Sequence, residues 1–325
     1  MKTLDWPINA GRLCAALAAV HLCVSPATGA RRPERPPTDL EYEALPLERS
    51  GQNHLLVRAF INGKPALLGV DSGAPVSAIA IQRRQHFGLK PLPGSSTLPL
   101  RLNINGAFNS VGIAHTLRLG ALTLLDEPMV AIDLSNSSKA ARAQKEQEID
   151  GILGADILLP TKAVLDCQAQ LLVLKMDPQL PGPIPGFDFR GFRAVPLRVS
   201  AGYNLYVDGT INGHAAKLMV DTGAFTTLLH RRFVRRMKIP LRETPFNTAG
   251  VNLKERGVEA ATIQRLSIGT VNFRKKEVGV MDLQGLIHDD LLDASPPVVG
   301  LLGSEILRRH HGIIDFGTRI LYLKP

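Results

Sequence analysis

Cysteine is scarce in this sequence, and two of its three copies, Cys14 and Cys23, fall inside an apolar N-terminal stretch. Without that stretch only Cys167 remains, which excludes an intramolecular disulfide framework. Patterns that hold metal are missing as well. There is no HExxH and no CxxC, and the adjacent His310 and His311 are poorly arranged to chelate one ion. The expectation is therefore no metal and no cofactor. No GxSxG occurs and Cys167 has no evident partner, so serine and cysteine nucleophiles lack support. No apolar run reaches the roughly 18–20 residues of a spanning helix, so no transmembrane span is expected. Tryptophan occurs once, aromatics make up 5%, and no nucleic-acid-binding motif is present, so no nucleic-acid partner is expected.

What is present fits a globular chain of about two domains: 325 residues, 45% hydrophobic and 21% charged. With 29 Gly and 23 Pro, many turns and short elements are expected instead of a helical bundle. Residues 1–30 have the form of a secretory signal peptide. Lys2 and Arg12 supply positive charge, Leu13–Val24 is apolar, and Ser25, Ala27 and Ala30 are small. A secreted or periplasmic location follows, with a short uncleaved anchor as the alternative. The net charge is +9, and part of it is clustered at Arg231, Arg232, Arg235, Arg236 and Lys238. Helical spacing there predicts a solvated face, the alternative being an attraction to anionic polymers or lipids.

The dominant feature is an internal repeat. Ile61-Asn62-Gly63 recurs as Ile211-Asn212-Gly213, and Val70-Asp71-Ser72-Gly73-Ala74 as Val220-Asp221-Thr222-Gly223-Ala224, both at an offset of 150. Gly151–Gly154 recurs as Gly300–Gly303, Asp166 as Asp315, and Leu174-Lys175 as Leu323-Lys324, at 149. Two homologous lobes follow, at residues 31–176 and 194–325. Between them, 177–193 is a linker dense in Pro and Gly, poor in ladder hydrogen bonds. Each lobe reads as mostly strand. Leu55–Ile61 and Leu205–Ile211 end in Asn-Gly, a hairpin signal, and Ala66–Val70 and Ala216–Val220 return, each leading to an Asp. Short helical turns are expected near Gln82–Phe87 and His230–Met237, and short helices at Ala155–Leu159 and Ser304–Arg309. Long helical crossovers are missing, which disfavours a parallel βαβ scheme and favours an all-β fold.

An Asp at the end of an apolar strand, followed by Ser/Thr-Gly-Ala, is most often a turn-former when it occurs once. Two copies at matching places in duplicated lobes suggest something else. A two-fold axis between the lobes brings both carboxylates to one point, where like charges cannot easily both ionise and one proton is shared. Such a pair can hold a water, deprotonate it and protonate a departing amine.

With Asp71-Ser72-Gly73-Ala74 and Asp221-Thr222-Gly223-Ala224, each followed about 80 residues later by Ile152-Leu153-Gly154 or Leu301-Leu302-Gly303, the sequence resembles the aspartic protease superfamily. It is most similar to the retropepsin-like bacterial branch with two tandem lobes in one chain. The resemblance implies two pseudo-symmetric, barrel-like acid-protease lobes flanking a cleft, a peptide or protein substrate, and an aspartic endopeptidase activity. It implies a catalytic dyad of Asp71 and Asp221. Ser72 and Thr222 would hold the loops together across the axis. Gly73 and Gly223 would allow close approach to the carboxylates, and the strands ending at Gly154 and Gly303 would support the loops. Flap tips are expected at Gly106 and Gly250. Ala74 and Ala224 stand where pepsin-like enzymes commonly carry a hydroxyl, which implies a less acidic optimum than a digestive pepsin's. Pro75 and Phe225 differ, so the two Asp environments need not match. A monomer is the expected assembly, an intramolecular pseudo-dimer, with a dimer sharing lobes between chains as the alternative. The same scaffold without activity, binding peptides by strand addition, is the alternative function.

Overall fold

The computed structural model describes residues 41–91, 111–143, 145–177, 179–180, 183–200, 202–250, 253–288, 292 and 296–325. The first lobe contributes β1 (Tyr42–Pro46), β2 (Glu48–Arg49), β3 (Leu55–Ile61), β4 (Lys64–Val70), β5 (Ala78–Ala80), β6 (Lys90–Pro91), β7 (Val111–Leu119), β8 (Leu122–Ile132), β9 (Gly151–Leu153), β10 (Val164–Asp166) and β11 (Leu171–Lys175). The second contributes β12 (Arg193–Pro196), β13 (Arg198–Val199), β14 (Leu205–Ile211), β15 (His214–Val220), β16 (Leu228–His230), β17 (Leu241–Gly250), β18 (Leu253–Ile268), β19 (Val271–Met281), β20 (Gly300–Leu302), β21 (Ile313–Asp315) and β22 (Ile320–Leu323). Each strand of the first series has its counterpart eleven places later, so the sequence period is also the period of the structure. The described residues also form a 3-10 turn at Ile81–Arg83 and five short α-helices: α1 (Ser135–Ala143), α2 (Ala155–Leu158), α3 (Arg231–Arg236), α4 (Gln284–His288) and α5 (Ser304–Arg309).

Two sheets share one order, β2-β3-β4-β9-β5-β8-β7-β6 and β13-β14-β15-β20-β16-β19-β18-β17. The further pairings β3–β7 and β14–β18 close a six-stranded barrel in each. The Asn-Gly hairpins form as their sequences require. Asn62 and Gly63 have φ of 50° and 77°, and Asn212 and Gly213 have 49° and 85°, positive at both central residues. A third sheet, β1-β11-β10-β21-β22-β12, joins the lobes, with Leu165 opposite Ile314 at its centre. One apolar core runs through both barrels, from Leu45 to Leu323. This is the all-β, two-lobed acid-protease fold.

The Pro/Gly-rich connection does more than link. Its C-terminal end, β12, pairs with β22 from Arg193↔Leu323 to Pro196↔Ile320. That strand lies at the sheet edge, where Pro196 has no outer neighbour to disappoint. Phe189 stacks on Tyr322 at 3.8 Å between ring centres, and Ile184 is buried against Val164, Val173 and Ile313. The basic run falls on α3, which buries Phe233 and Val234 and exposes Arg232, Arg235 and Arg236. Helices α1 and α4 lie in polar stretches of the sequence, after β8 and β19.

The parallel pairs β4–β9 and β15–β20 place the Asp-bearing strands beside the Gly-terminated ones, Val70 opposite Leu153 and Val220 opposite Leu302. A Cβ at Gly303 would lie 2.6 Å from Thr226 O and Thr227 N, which are backbone and cannot swing away. Gly303→Ala is therefore expected to cost about 1–3 kcal/mol and lower Tm by several degrees in a thermal melt. Gly285→Ala meets nothing within 4 Å and leaves Tm within about 2 °C.

Candidate active site

The two Asp-containing loops meet at the lobe interface. Each begins where its strand ends: Asp71 N donates to Leu153 O and Asp221 N to Leu302 O, both at 3.0 Å. The next residue in each loop then reaches into the other lobe. Ser72 Oγ donates to Val220 O at 2.8 Å and accepts from Thr222 N at 3.1 Å. Thr222 Oγ1 donates to Val70 O at 2.9 Å and accepts from Ser72 N at 2.9 Å. Both side chains are buried, so these four bonds are shielded from water.

The glycines that follow are pressed against the opposite carboxylates. A Cβ at Gly73 would lie 2.5 Å from Asp221 Cγ, and one at Gly223 would lie 2.6 Å from Asp71 Cγ. The Asp71 and Asp221 side chains are hydrogen-bonded to each other. Asp71 Oδ1 accepts from Gly73 N at 2.8 Å, while Asp221 Oδ1 accepts from Gly223 N and Ala224 N, both at 2.9 Å. Burial pushes both carboxyls above their ordinary range, and the Asp71 charge pushes Asp221 further still. The two carboxyls therefore favour sharing one proton. Asp221 is 9% exposed, whereas Asp71 keeps a partly open edge.

Gly154 and Gly303 lie behind the loops. Gly154 N donates to Ser77 Oγ at 2.9 Å, Gly303 N to Thr227 Oγ1 at 3.1 Å. The residues after them take up the loop carbonyls, Ala155 N to Ala74 O and Ser304 N to Ala224 O, both at 2.8 Å. In the second lobe Ser304 Oγ also donates to Thr222 O at 2.7 Å, a bond that Ala155 cannot make. Of the two expected flap tips, Gly106 lies outside the described residues. Gly250 ends β17 and pairs with Leu253 of β18. β19 joins β18 only from Glu259 onward, so the β17/β18 hairpin extends beyond the barrel wall.

One residue at the site was not singled out from sequence. His54, just before β3, lies near the backbone of Gly223 in the other lobe and near the Asp71 charge. Burial holds its pKa below the usual value, against the pull of Asp71, the Gly223 backbone and Glu146. Its counterpart in the repeat is Asn204, which is buried and unable to titrate. A search for matching residues passes over such a position. Its signal is the mismatch, a titratable residue replaced by an amide at one place in an otherwise aligned turn.

Residues 57–157 match the family model described as "Aspartyl protease", and residues 207–309 match that described as "gag-polyprotein putative aspartyl protease". Each lobe thus matches an aspartyl-protease family model, and the two matched segments lie in tandem. No curated protein sequence matches it. Among solved structures, it is similar to a retropepsin-like aspartic protease from Rickettsia conorii. That match is 22% identical over 41% of this chain and 89% of the other, with a TM-score of 0.31. It is also similar to Basic 7S globulin from soybean, 11% identical over 87% and 95% of the two chains, with a TM-score of 0.44.

Thr222→Ala leaves Ser72 N without its acceptor and Val70 O without its donor. A loss of about 2–5 kcal/mol is expected, read as a lower urea midpoint, with Thr222→Ser restoring most of it. His54→Asn removes a positive charge that, at acid pH, favours ionised Asp71. The acid limb of any dyad-dependent activity should move to higher pH, and an unmoved limb would remove His54 from that role.

Proposed function

We propose that this protein is an aspartic endopeptidase whose catalytic residues are Asp71 and Asp221. The observation that carries the reading is the hydrogen bond between the two carboxyls, each lying beneath the other lobe's glycine. In this scheme a water sits between the dyad and the scissile carbonyl. Ionised Asp71 takes a proton from the water as its oxygen attacks the carbonyl carbon. Protonated Asp221 donates to the carbonyl oxygen, stabilising the charge that develops there. The proton gained by Asp71 then passes to the amine nitrogen, the C–N bond breaks, and the shared proton is restored. No acyl-enzyme forms.

Ser72 and Thr222 hold the geometry, and Gly154 and Gly303 support it from behind. The β17/β18 hairpin with Gly250 at its tip serves as a flap over an extended peptide. The assembly is a monomer, because one chain supplies both carboxylates. Export to the periplasm or the medium rests on residues 1–30.

The test is cleavage of a mixed peptide library across pH 3–8 by the parent, Asp71→Asn and Asp221→Asn. Cleavage by the parent and a loss of at least about 10³-fold in each variant is expected. Retained activity in one variant would end the shared-dyad reading. Peptide binding without cleavage at any pH would favour the inactive scaffold. The pH profile should be a bell. Rate falls at low pH as Asp71 protonates and at high pH as Asp221 loses its proton. Both pKa values are raised by burial, so both limbs lie above those of ordinary carboxylates. A rate flat or rising from pH 6 down to pH 2 would contradict this.

A further inference from the structure

Between the lobes, to one side of the dyad, lies a cavity of about 980 Å³. Its first-lobe wall is the turn Arg49–Asn53 together with Gln168 and Gln170; its second-lobe wall is Phe225, Lys276 and α5 with Glu305, Arg308 and Arg309. Two of its lining residues are chain neighbours of groups at the dyad. Asn53 precedes His54, which lies near Gly223. Phe225 follows Ala224, whose N–H is bonded to Asp221, and Phe225 is 56% exposed, unusual for a large apolar side chain.

The charge on this cavity is one-sided. Arg49, Lys276, Arg308 and Arg309 face it, and among the described lining residues Glu305 is the one acid. Glu305 is already engaged, accepting from Thr227 N at 2.8 Å and lying 4.0 Å from Lys276. Arg49 is held below its ordinary pKa, first by burial and then by the Arg308 charge across the lobe boundary. Cations from two lobes thus repel one another around a solvent-filled space, a setting that an anion relieves.

The duplication supplies an internal control. The positions related by the repeat to Arg49, Phe225, Lys276, Glu305, Arg308 and Arg309 are Val199, Pro75, Glu127, Asp156, Leu159 and Pro160. At these positions no cation remains. Where the second lobe sets Lys276 beside Glu305, the first sets Glu127 beside Asp156. Burial and the neighbouring carboxylates push Glu127 up to about 7, and burial pushes Asp156 up to about 6. The fold is duplicated at these places but these cations are not; Gln170, on the first-lobe wall, has Arg319 as its counterpart.

We infer that the Arg49–Arg309 cavity extends the substrate cleft and receives an acidic peptide segment, for which the other lobe, without these cations, has no matching site. This rests on the peptidase reading and deepens it. The protein would then favour substrates carrying Asp or Glu on one side of the scissile bond and not on the other. Phe225 offers an apolar shelf between the dyad and the cations, on which the intervening side chain packs.

The experiment uses three fluorogenic peptides with one cleavable core, carrying three Glu before it, three Glu after it, or Gln at all six places. At pH 6 the glutamates are ionised. One Glu peptide is expected to exceed the Gln peptide by about 5- to 20-fold in kcat/KM, through KM, with the advantage shrinking as salt is raised. The double variant Arg308→Gln/Arg309→Gln alters two exposed side chains, and its folding is checked by Tm. In it the Glu-to-Gln ratio should fall toward one. Equal cleavage of all three peptides by the parent, or a ratio unchanged in the double variant, overturns the inference while leaving the peptidase reading intact. If no peptide is cleaved, the peptidase reading fails, and fluorescence anisotropy of the labelled Glu peptides decides the cavity alone. Salt-sensitive binding weakened in the double variant upholds the acidic site, and binding equal to that of the Gln peptide overturns it.

Discussion

The interaction on which the rest depends is the reciprocal grip of Ser72 and Thr222. Each hydroxyl gives its proton to a carbonyl at the end of the other lobe's strand and receives an N–H from the other loop. Two like carboxyls in contact oppose burial and each other, so the loops that carry them would part without a cross-lobe restraint. The grip supplies that restraint at the same atoms that set the separation of the carboxyls. The six-stranded sheet beneath fixes the lobes more coarsely, through β10 and β21. The hydroxyl bonds then set the last few tenths of an ångström, and with them the sharing of one proton.

Much of this was legible in the sequence, because the features that make the site are short-range and repeated. Asn-Gly hairpins, an Asp at a strand end and a glycine that must touch a carboxylate each have a local reason to be where they are. A period near 150 then pairs them. Other features were hidden for physical reasons. β1 is largely partly exposed, with a weak apolar signature, and becomes a strand because β11 offers an edge. β12 ends in a proline and is tolerated because it is itself an edge. α1 and α4 lie in polar insertions with little apolar periodicity to announce them. His54 was hidden by the same method that found the dyad, since aligning the repeats favours positions that agree.

That last point divides the site into two kinds of residue. Positions that agree between the lobes, Asp71 and Asp221 or Gly73 and Gly223, hold the chemistry, which needs two equivalent oxygen sets about one point. Positions that disagree break the equivalence. His54 opposes Asn204, Ser304 makes a bond that Ala155 cannot, and Ala224 N donates to Asp221 while Ala74 N is taken by the backbone carbonyl of Asp71. The two carboxyls consequently sit in unequal surroundings.

A peptide has a direction, and a cleft with strict two-fold symmetry cannot read it. Both orientations of an extended chain would meet the same groups and be held equally well. A dimer of identical lobes has no escape, because every substitution appears twice. Two lobes fused in one chain can diverge separately, and here they have done so most sharply in charge, Lys276 against Glu127 and Arg308 against Leu159. Cations at one end of the cleft without equivalents at the other would distinguish the two orientations of a substrate with an acidic flank. In the proposed peptidase the unequal surroundings of the two carboxyls and the unequal flanks would act together, the flank setting which way the chain lies across the dyad.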